Sequence, residues 1–299
     1  MAAEQTRLAP SPTEAAGEYR RLLFAIAYRM LGSVADAEDV VQDAYLRWQD
    51  APRDDIESPK AFLSTVVTRL CIDHLRSARV RREEYVGMWL PEPLVGAVEP
   101  DVADVAALNE SLSTAFLLLL ERLSPLERAI FLLHDVFAYE YVEIAPIVGK
   151  SVDYCRQLVK RARGHLTAER PRFDPLSAQR DQLVRQFVRA CQTGDLDGLV
   201  STLAEDVTAW GDGGGKVPAA RHPIHGVDAV ARFLIGLVRK APPDFTVEQE
   251  TINGQPGAIV RVGGVPVAAL TLDVLEGQIV AIRSVANPDK LRVLSNGRG

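Results

Sequence analysis

The residues with the widest chemical repertoire lie in the last third of the chain. Asp206, Asp212, His222 and His225 are close in sequence, and carboxylates beside imidazoles perform acid–base catalysis when they converge on one substrate atom. His222 and His225 lack an evident third ligand, so they make no zinc site. Asp212-Gly213-Gly214-Gly215-Lys216 invites comparison with a phosphate-cradling loop. Trp210 stands where that motif needs its first glycine and Val217 where it needs Ser or Thr, so the glycines read instead as a tight loop. Cys71, Cys155 and Cys191 are far apart, each in an apolar helical pattern, and read as core packing. No catalytic set, metal site or cofactor site follows from these residues.

Binding chemistry is better represented. Ser151, Asp153, Arg156, Gln157, Lys160, Arg161 and Arg163 combine phosphate-seeking cations with side chains able to meet base edges. The stretch that carries them, Tyr141 to Leu166, reads as helix, turn and helix. Ile144, Val148, Val152, Cys155 and Val159 are apolar at helical spacing. Gly149 suits the turn and Ser151 the cap of the second helix. Pro146 fits only if the first helix begins near Val142, so that the proline falls in its first turn. This is the layout of a helix-turn-helix that places its second helix in a DNA major groove.

The chain of 299 residues carries a net charge of −6, so it is not basic throughout; the distribution matters more. Asp36 to Glu57 holds eight acids against two bases, Ser58 to Arg82 six bases against one acid, and Lys150 to Arg172 seven bases against two acids. Partners of both charge signs are expected. The acidic segment is helical, with Ser33 as cap and Val40, Val41, Ala44 and Leu46 among its inward positions. Its Asp36, Asp39, Gln42 and Asp43 form either a solvated face or a docking surface for a basic partner. The next helix starts at Ser58-Pro59 and offers Lys60, Arg69, Arg76, Arg79, Arg81 and Arg82. Asp73 is spaced to pair with Arg69 and Arg76, and the surplus cations suit phosphates.

Prolines and glycines from Tyr85 to Pro100 mark a linker, yet it carries Trp89 and Leu90, costly to expose. A helix over Asn109 to Leu123 and another from the capping box Ser124-Pro125-Leu126-Glu127 lead into the helix-turn-helix. After Leu176 come two helices, a short strand at Val207 to Trp210, a helix over Val227 to Lys240, and four strands ending near Val285, which predict a separate α+β domain. Its 13 acids and 12 bases from Asp181 onward make it a poor DNA binder. Asp212 to Lys216 and Asn287 to Leu291 read as polar, mobile-looking segments on its contact surface.

DAEDVVQDAYLRW, AFLSTVVTRLCIDHLR and LSPLERAIFLLHDVFAYEYVEIAPIVGKSVDYCRQLVKRAR resemble regions two and four of an extracytoplasmic-function sigma factor. The remainder resembles a SnoaL-like domain of the nuclear-transport-factor-like fold. WLPEP (89–93), DGGGK (212–216) and NPDKL (287–291) are similar to short signatures of the SigJ-like subgroup, which carries that domain at its C-terminus. The resemblance implies two all-α sigma domains followed by an α+β cone: region two over 1–84, linker over 85–105, region four over 106–172 and the SnoaL-like domain over 178–299. It implies that Asp36, Asp39, Gln42 and Asp43 contact core RNA polymerase and that the cations from Lys60 to Arg82 serve the minus-ten element of promoter DNA. The seven residues from Ser151 to Arg163 would serve the minus-thirty-five element.

A regulatory contact within the chain is expected from Trp89, Leu90, Pro91, Asp212, Gly213, Gly214, Gly215, Lys216, Asn287, Pro288, Asp289, Lys290 and Leu291. The cytoplasm is the expected compartment, with no membrane association. A small-molecule ligand in the cone stays open. Two rivals remain: a plain helix-turn-helix regulator, which would need no acidic docking helix, and an enzyme fused to a DNA-binding module.

Overall fold

The structure is a computed structural model that describes residues 12–52, 56, 58–83, 85–96, 111–167 and 178–295. The chain forms two compact units, residues 1–78 with 122–168 and residues 79–121 with 169–299.

The first unit is helical. Helix α1 (Pro12–Leu31) ends where Gly32 takes a positive φ of 68°, and α2 (Val34–Asp50) begins with Ser33 accepting a hydrogen bond from the Asp36 amide at 3.2 Å. Helix α2 buries Ala37, Val40, Val41, Ala44 and Trp48. Leu46, expected inward, is instead 50% exposed. Its place in the core is taken by Trp48, two residues on, which falls on the buried stripe at i+4 from Ala44. Helix α3 (Pro59–Glu83) buries Leu63, Val67, Cys71 and Leu75.

The next helix, α4 (Thr114–Leu120), belongs to the second unit. It starts at Thr114 because the Ser113 hydroxyl caps it, accepting from the Phe116 amide at 3.2 Å. The expected start at Asn109 lies outside the described residues, as do linker positions 97–105. Helix α5 (Pro125–Phe131) opens on the capping box of Ser124 and Glu127 and runs into a π-helical turn, Leu132–Val136.

Helices α6 (Tyr141–Val148) and α7 (Val152–Thr167) are joined through Gly149, left-handed at φ 65° and ψ 41°. A left-handed residue there lets the Lys150 amide reach the Ala145 carbonyl at 3.0 Å and close the helix end. Pro146 corrects an expectation. Helix α6 starts at Tyr141, which puts the proline past the first turn. The helix loses the bond that this residue would donate to Val142, a residue exposed enough for water to serve its carbonyl.

The second unit holds α8 (Ala178–Thr193), α9 (Leu196–Thr202), β1 (Leu203–Asp212), β2 (Ile224–His225), α10 (Val227–Lys240), β3 (Phe245–Ile252), β4 (Gln255–Val262), β5 (Val265–Leu275), β6 (Gln278–Val285) and α11 (Pro288–Ser295). The strands make one six-stranded sheet in the order β2-β1-β6-β5-β4-β3. Only the β1–β6 pair is parallel. Register shifts between β1 and β6, β4 and β5, and β5 and β6 bend the sheet. Strand β1 reaches further than the expected four residues because its pairing with β6 continues from Leu203 to Asp212.

Strand alternation divides the two faces. Ala258, Leu270 and Ile282 pack with α8 and α10. Ile259, Ala269 and Val285 pack with Leu90 of the linker and with Leu291 and Leu294 of α11.

Candidate functional site

Four groups of residues were singled out in the sequence, and the structure places each differently. On α2, Asp39, Gln42 and Asp43 are exposed and share a face with the exposed Leu46, whereas Asp36 is half-buried, 3.5 Å from His74. An apolar side chain among exposed acids suits a basic partner with an apolar groove.

On α7, Ser151, Asp153, Arg156, Gln157, Lys160, Arg161 and Arg163 are all exposed. They are not equally free. The Ser151 hydroxyl accepts the Tyr154 amide at 3.2 Å as the helix cap. Arg156 donates to Asp153 at 2.9 Å and stacks over Tyr141, its guanidinium carbon 5.6 Å from the ring centroid. Arg163 donates through two nitrogens to Asp135, at 2.7 and 2.8 Å, which docks α7 on the π-helical turn. Burial would raise the Asp135 carboxyl, but hydrogen bonds from Arg163 and His134 outweigh it and hold it below its ordinary range. Arg161 lies 3.7 Å from Glu127, while among the described residues Gln157 and Lys160 have no hydrogen-bond or ion-pair partner.

On α3, the expected Arg69–Asp73–Arg76 pairing is only half formed. Arg76 donates to Asp73 at 3.2 Å. Arg69 turns to the helix-turn-helix and donates to the carbonyls of Pro146 and Ile147 at 2.9 and 2.8 Å. Those carbonyls are at the C-terminal end of α6, where a cation is favoured. Lys60 lies over the Tyr139 ring at 5.4 Å, and the Tyr139 hydroxyl bonds Ser64 at 2.8 Å. The side chains of Arg79, Arg81 and Arg82 lie outside the described residues.

The fourth group converges most closely. Asp212, at the end of β1, is fully buried. Its carboxylate accepts from the Tyr85 hydroxyl at 2.6 Å, the Leu90 amide at 2.9 Å, the Gly214 amide at 3.0 Å and the Lys290 ammonium at 2.7 Å. Lys290, also buried, donates in addition to the Leu90 carbonyl and lies 4.4 Å from the Trp89 ring centroid and 5.0 Å from that of Tyr85. The Asn287 amide group donates to the Tyr85 hydroxyl at 2.9 Å, and its carbonyl accepts the Asp289 amide at 3.1 Å. Burial first, then the bond to Asp212, pushes the Tyr85 hydroxyl far above the ordinary phenol range, so it stays a donor. Lys216 pairs with Asp289 at the exposed edge. The described linker residues thus lie on the face of the sheet opposite α8 and α10, clasped by a buried ion pair.

This corrects the expectation of polar, mobile-looking surface segments. Asp212 and Lys290 point inward because the linker supplies their partners, and Pro288 to Leu291 is the first turn of α11 rather than a loop. Pro91 and Leu90 are buried, and Trp89 is half-buried. Gly214 is required by contact: a Cβ there would come 2.3 Å from Asn287 Nδ2. Gly213 would set a Cβ 2.3 Å from the Val217 carbonyl oxygen. Gly215 borders Val86 of the linker.

Sequence reading missed Asn253. At the β3–β4 turn it adopts φ 54°, and its backbone amide donates to the Leu94 carbonyl at 2.8 Å. Its side chain accepts the Leu94 amide at 3.0 Å and donates to the Leu112 carbonyl at 3.3 Å. The signal was present: Asn253-Gly254 between two strands is a hairpin signature.

Between the sheet and α10 lies a cavity of about 560 Å³. Among the described residues, no carboxylate borders it. Of the candidate acid–base residues, His222 alone lines it; Asp206 is exposed, His225 bonds Thr208 at 3.1 Å, and Asp212 faces the linker. The four do not converge. Among the described residues, no cluster of three or more His, Cys, Asp or Glu could hold a metal, and no helix is long and apolar enough to cross a membrane.

Comparison with known proteins agrees with this architecture. The family models for sigma-70 region 2, sigma-70 region 4 and the SnoaL-like domain match residues 16–81, 113–166 and 184–271. The chain is 43% identical over 289 residues to the ECF RNA polymerase sigma factor SigJ of Mycobacterium tuberculosis, covering 91% of this chain and 90% of that protein. It is 33% identical to the probable ECF RNA polymerase sigma factor SigI of the same species, covering 91% and 92%. The crystal structure of Mycobacterium tuberculosis SigJ superposes with a TM-score of 0.72 at 37% identity, covering 92% of this chain and 96% of that one. The chain therefore belongs to the extracytoplasmic-function RNA polymerase sigma factors, in the SigJ-like group that ends in a SnoaL-like domain.

Proposed function

We propose that this sigma factor recruits core RNA polymerase through the exposed face of Asp39, Gln42, Asp43 and Leu46, and that its C-terminal domain regulates it in cis by gripping the linker. Asp36 contributes at the margin of that face. Helix α7 reads the minus-thirty-five element, with Arg156 and Gln157 at base edges and Lys160 on phosphate. Arg76 and the cations beyond it serve the minus-ten element. The protein acts in the cytoplasm, where polymerase and promoter DNA are, and makes no bonds itself.

The observation that carries the regulatory reading is the buried Asp212–Lys290 pair closed over the Leu90 backbone. A linker clasped at one place limits the separations that the two DNA-binding regions can adopt, and a tether keeps even a weak contact formed. The test is run-off transcription with purified core polymerase on the protein's own upstream region. It compares the full chain with Trp89→Ala, Lys290→Met and a deletion from Asn287 onward. Altered transcription with unaltered polymerase binding is expected. Equal output from all forms, at equal folded concentration, removes the cis role.

A further inference from the structure

The cavity and the linker clasp occupy opposite faces of the same two strand ends. On β1 and β6, Gly211 pairs with Ser284 and both border the cavity, whereas Asp212 pairs with Val285 and both face the linker side. One residue further, Ala286 borders the cavity and Asn287 holds Tyr85. The amides of Ala286 and Asn287 both donate to the Asp212 carbonyl, at 2.8 and 2.9 Å. A shift of these strand ends on one side must therefore be felt on the other.

The cavity wall specifies a chemistry. Phe233, Leu234, Val260 and Leu270 represent its lining, and among the described residues no Asp, Glu, Lys or Arg borders it. Ser284 and His222 offer hydrogen bonds. Burial pushes the Cys191 thiol up to about 12, so it adds no charge. An ion entering here would lose hydration without a counter-charge, whereas an apolar body would gain by burial. The mouth has the same character: Leu237 and Val267 border the cavity yet are 52% and 39% exposed.

We infer that this cavity is a receptor site for an uncharged, predominantly apolar small molecule, and that occupancy is transmitted through the ends of β1 and β6 to the linker clasp. The transmission rests on the cis reading above, while the binding itself rests on the cavity alone.

The test uses the full-length protein and Nile red, an uncharged apolar fluorophore that suits a cavity of about 560 Å³. Saturable binding of one dye per chain is expected, weakened about tenfold by Ala268→Trp, which fills the cavity. Leu237→Asp, at an exposed position that tolerates a carboxylate, should also weaken it and serves if the tryptophan variant does not fold. Saturating dye should change hydrogen exchange at the Leu90 amide. Binding that does not saturate, or that neither variant weakens, overturns the site. Saturable, variant-sensitive binding that leaves Leu90 exchange unmoved overturns the transmission. Neither measurement uses polymerase, so failure here is distinct from failure of the transcription test.

Discussion

Asp212 and Lys290 are 78 residues apart in sequence and 2.7 Å apart in the fold, and both are buried. Neither could be buried alone. Each is neutralised by the other, and each binds the linker backbone at Leu90, one through the amide and one through the carbonyl. The pair is therefore complete only when the linker is in place.

Removing one partner should release the linker. Lys290→Met leaves a buried carboxylate without its cation, at a cost of about 3–5 kcal/mol. Part of that cost is avoided if the linker detaches and water reaches Asp212. Faster hydrogen exchange at Leu90 is expected, and Asp212→Asn added to Lys290→Met should recover part of the lost stability in a thermal melt. A single variant with native exchange would show that the clasp does not depend on the ion pair.

Asn253 should act separately from that pair. Asn253→Gly keeps the left-handed turn but loses both side-chain bonds, so exchange at Leu94 should rise while the β3–β4 hairpin stays intact. A loss of about 1–3 kcal/mol of local stability is expected from leaving buried groups unpaired. Unchanged exchange at Leu94 would deny the residue its linker role.

Charge reversal at Asp39 and Asp43 should abolish association with core polymerase. Both are exposed, so each change should move the folding stability little, within the about ±0.5 kcal/mol usual for surface changes, as read in a thermal melt. Co-purification of the Asp39→Lys, Asp43→Lys double variant with polymerase would remove this face from the function.

On α7, Arg156→Ala should weaken cognate promoter binding by about 1–3 kcal/mol, and Lys160→Ala should weaken all sequences alike and lower the salt slope by about 1. Arg156 is held by Asp153 and Tyr141, which presents the guanidinium in a defined direction. Equal losses of Arg156→Ala on cognate and random DNA would make it a phosphate contact.

The Asp135–Arg163 contact makes a pH prediction. The folded carboxyl titrates below its ordinary value, so its stabilisation is complete above the unfolded value of about 4 and is lost as pH falls through the lower folded value. Exchange of the α7 amides should therefore rise below about pH 4, and Asp135→Asn should remove that dependence. Because Arg163 is more than half exposed, the neutral variant should cost no more than about 1 kcal/mol.

Local signals were legible in the sequence because their physics is local. Ser33, Ser124 with Pro125, and Gly149 with Ser151 mark helix ends through bonds that span three or four residues. Helices followed by a run of strands point to the α+β domain, and charge grouping points to the exposed faces of α2 and α7. Where partners are remote, residue type misled. Arg69 has a suitable carboxylate four residues away, yet takes the carbonyls of Pro146 and Ile147. Leu46 looks like core but lies outside the buried stripe that ends on Trp48. Asp212 and Lys290 look like surface residues. Only the parallel pairing of β1 with β6 brings their ends together and sets the cavity and the clasp back to back, a relationship made by sheet topology and absent from any local stretch of residues.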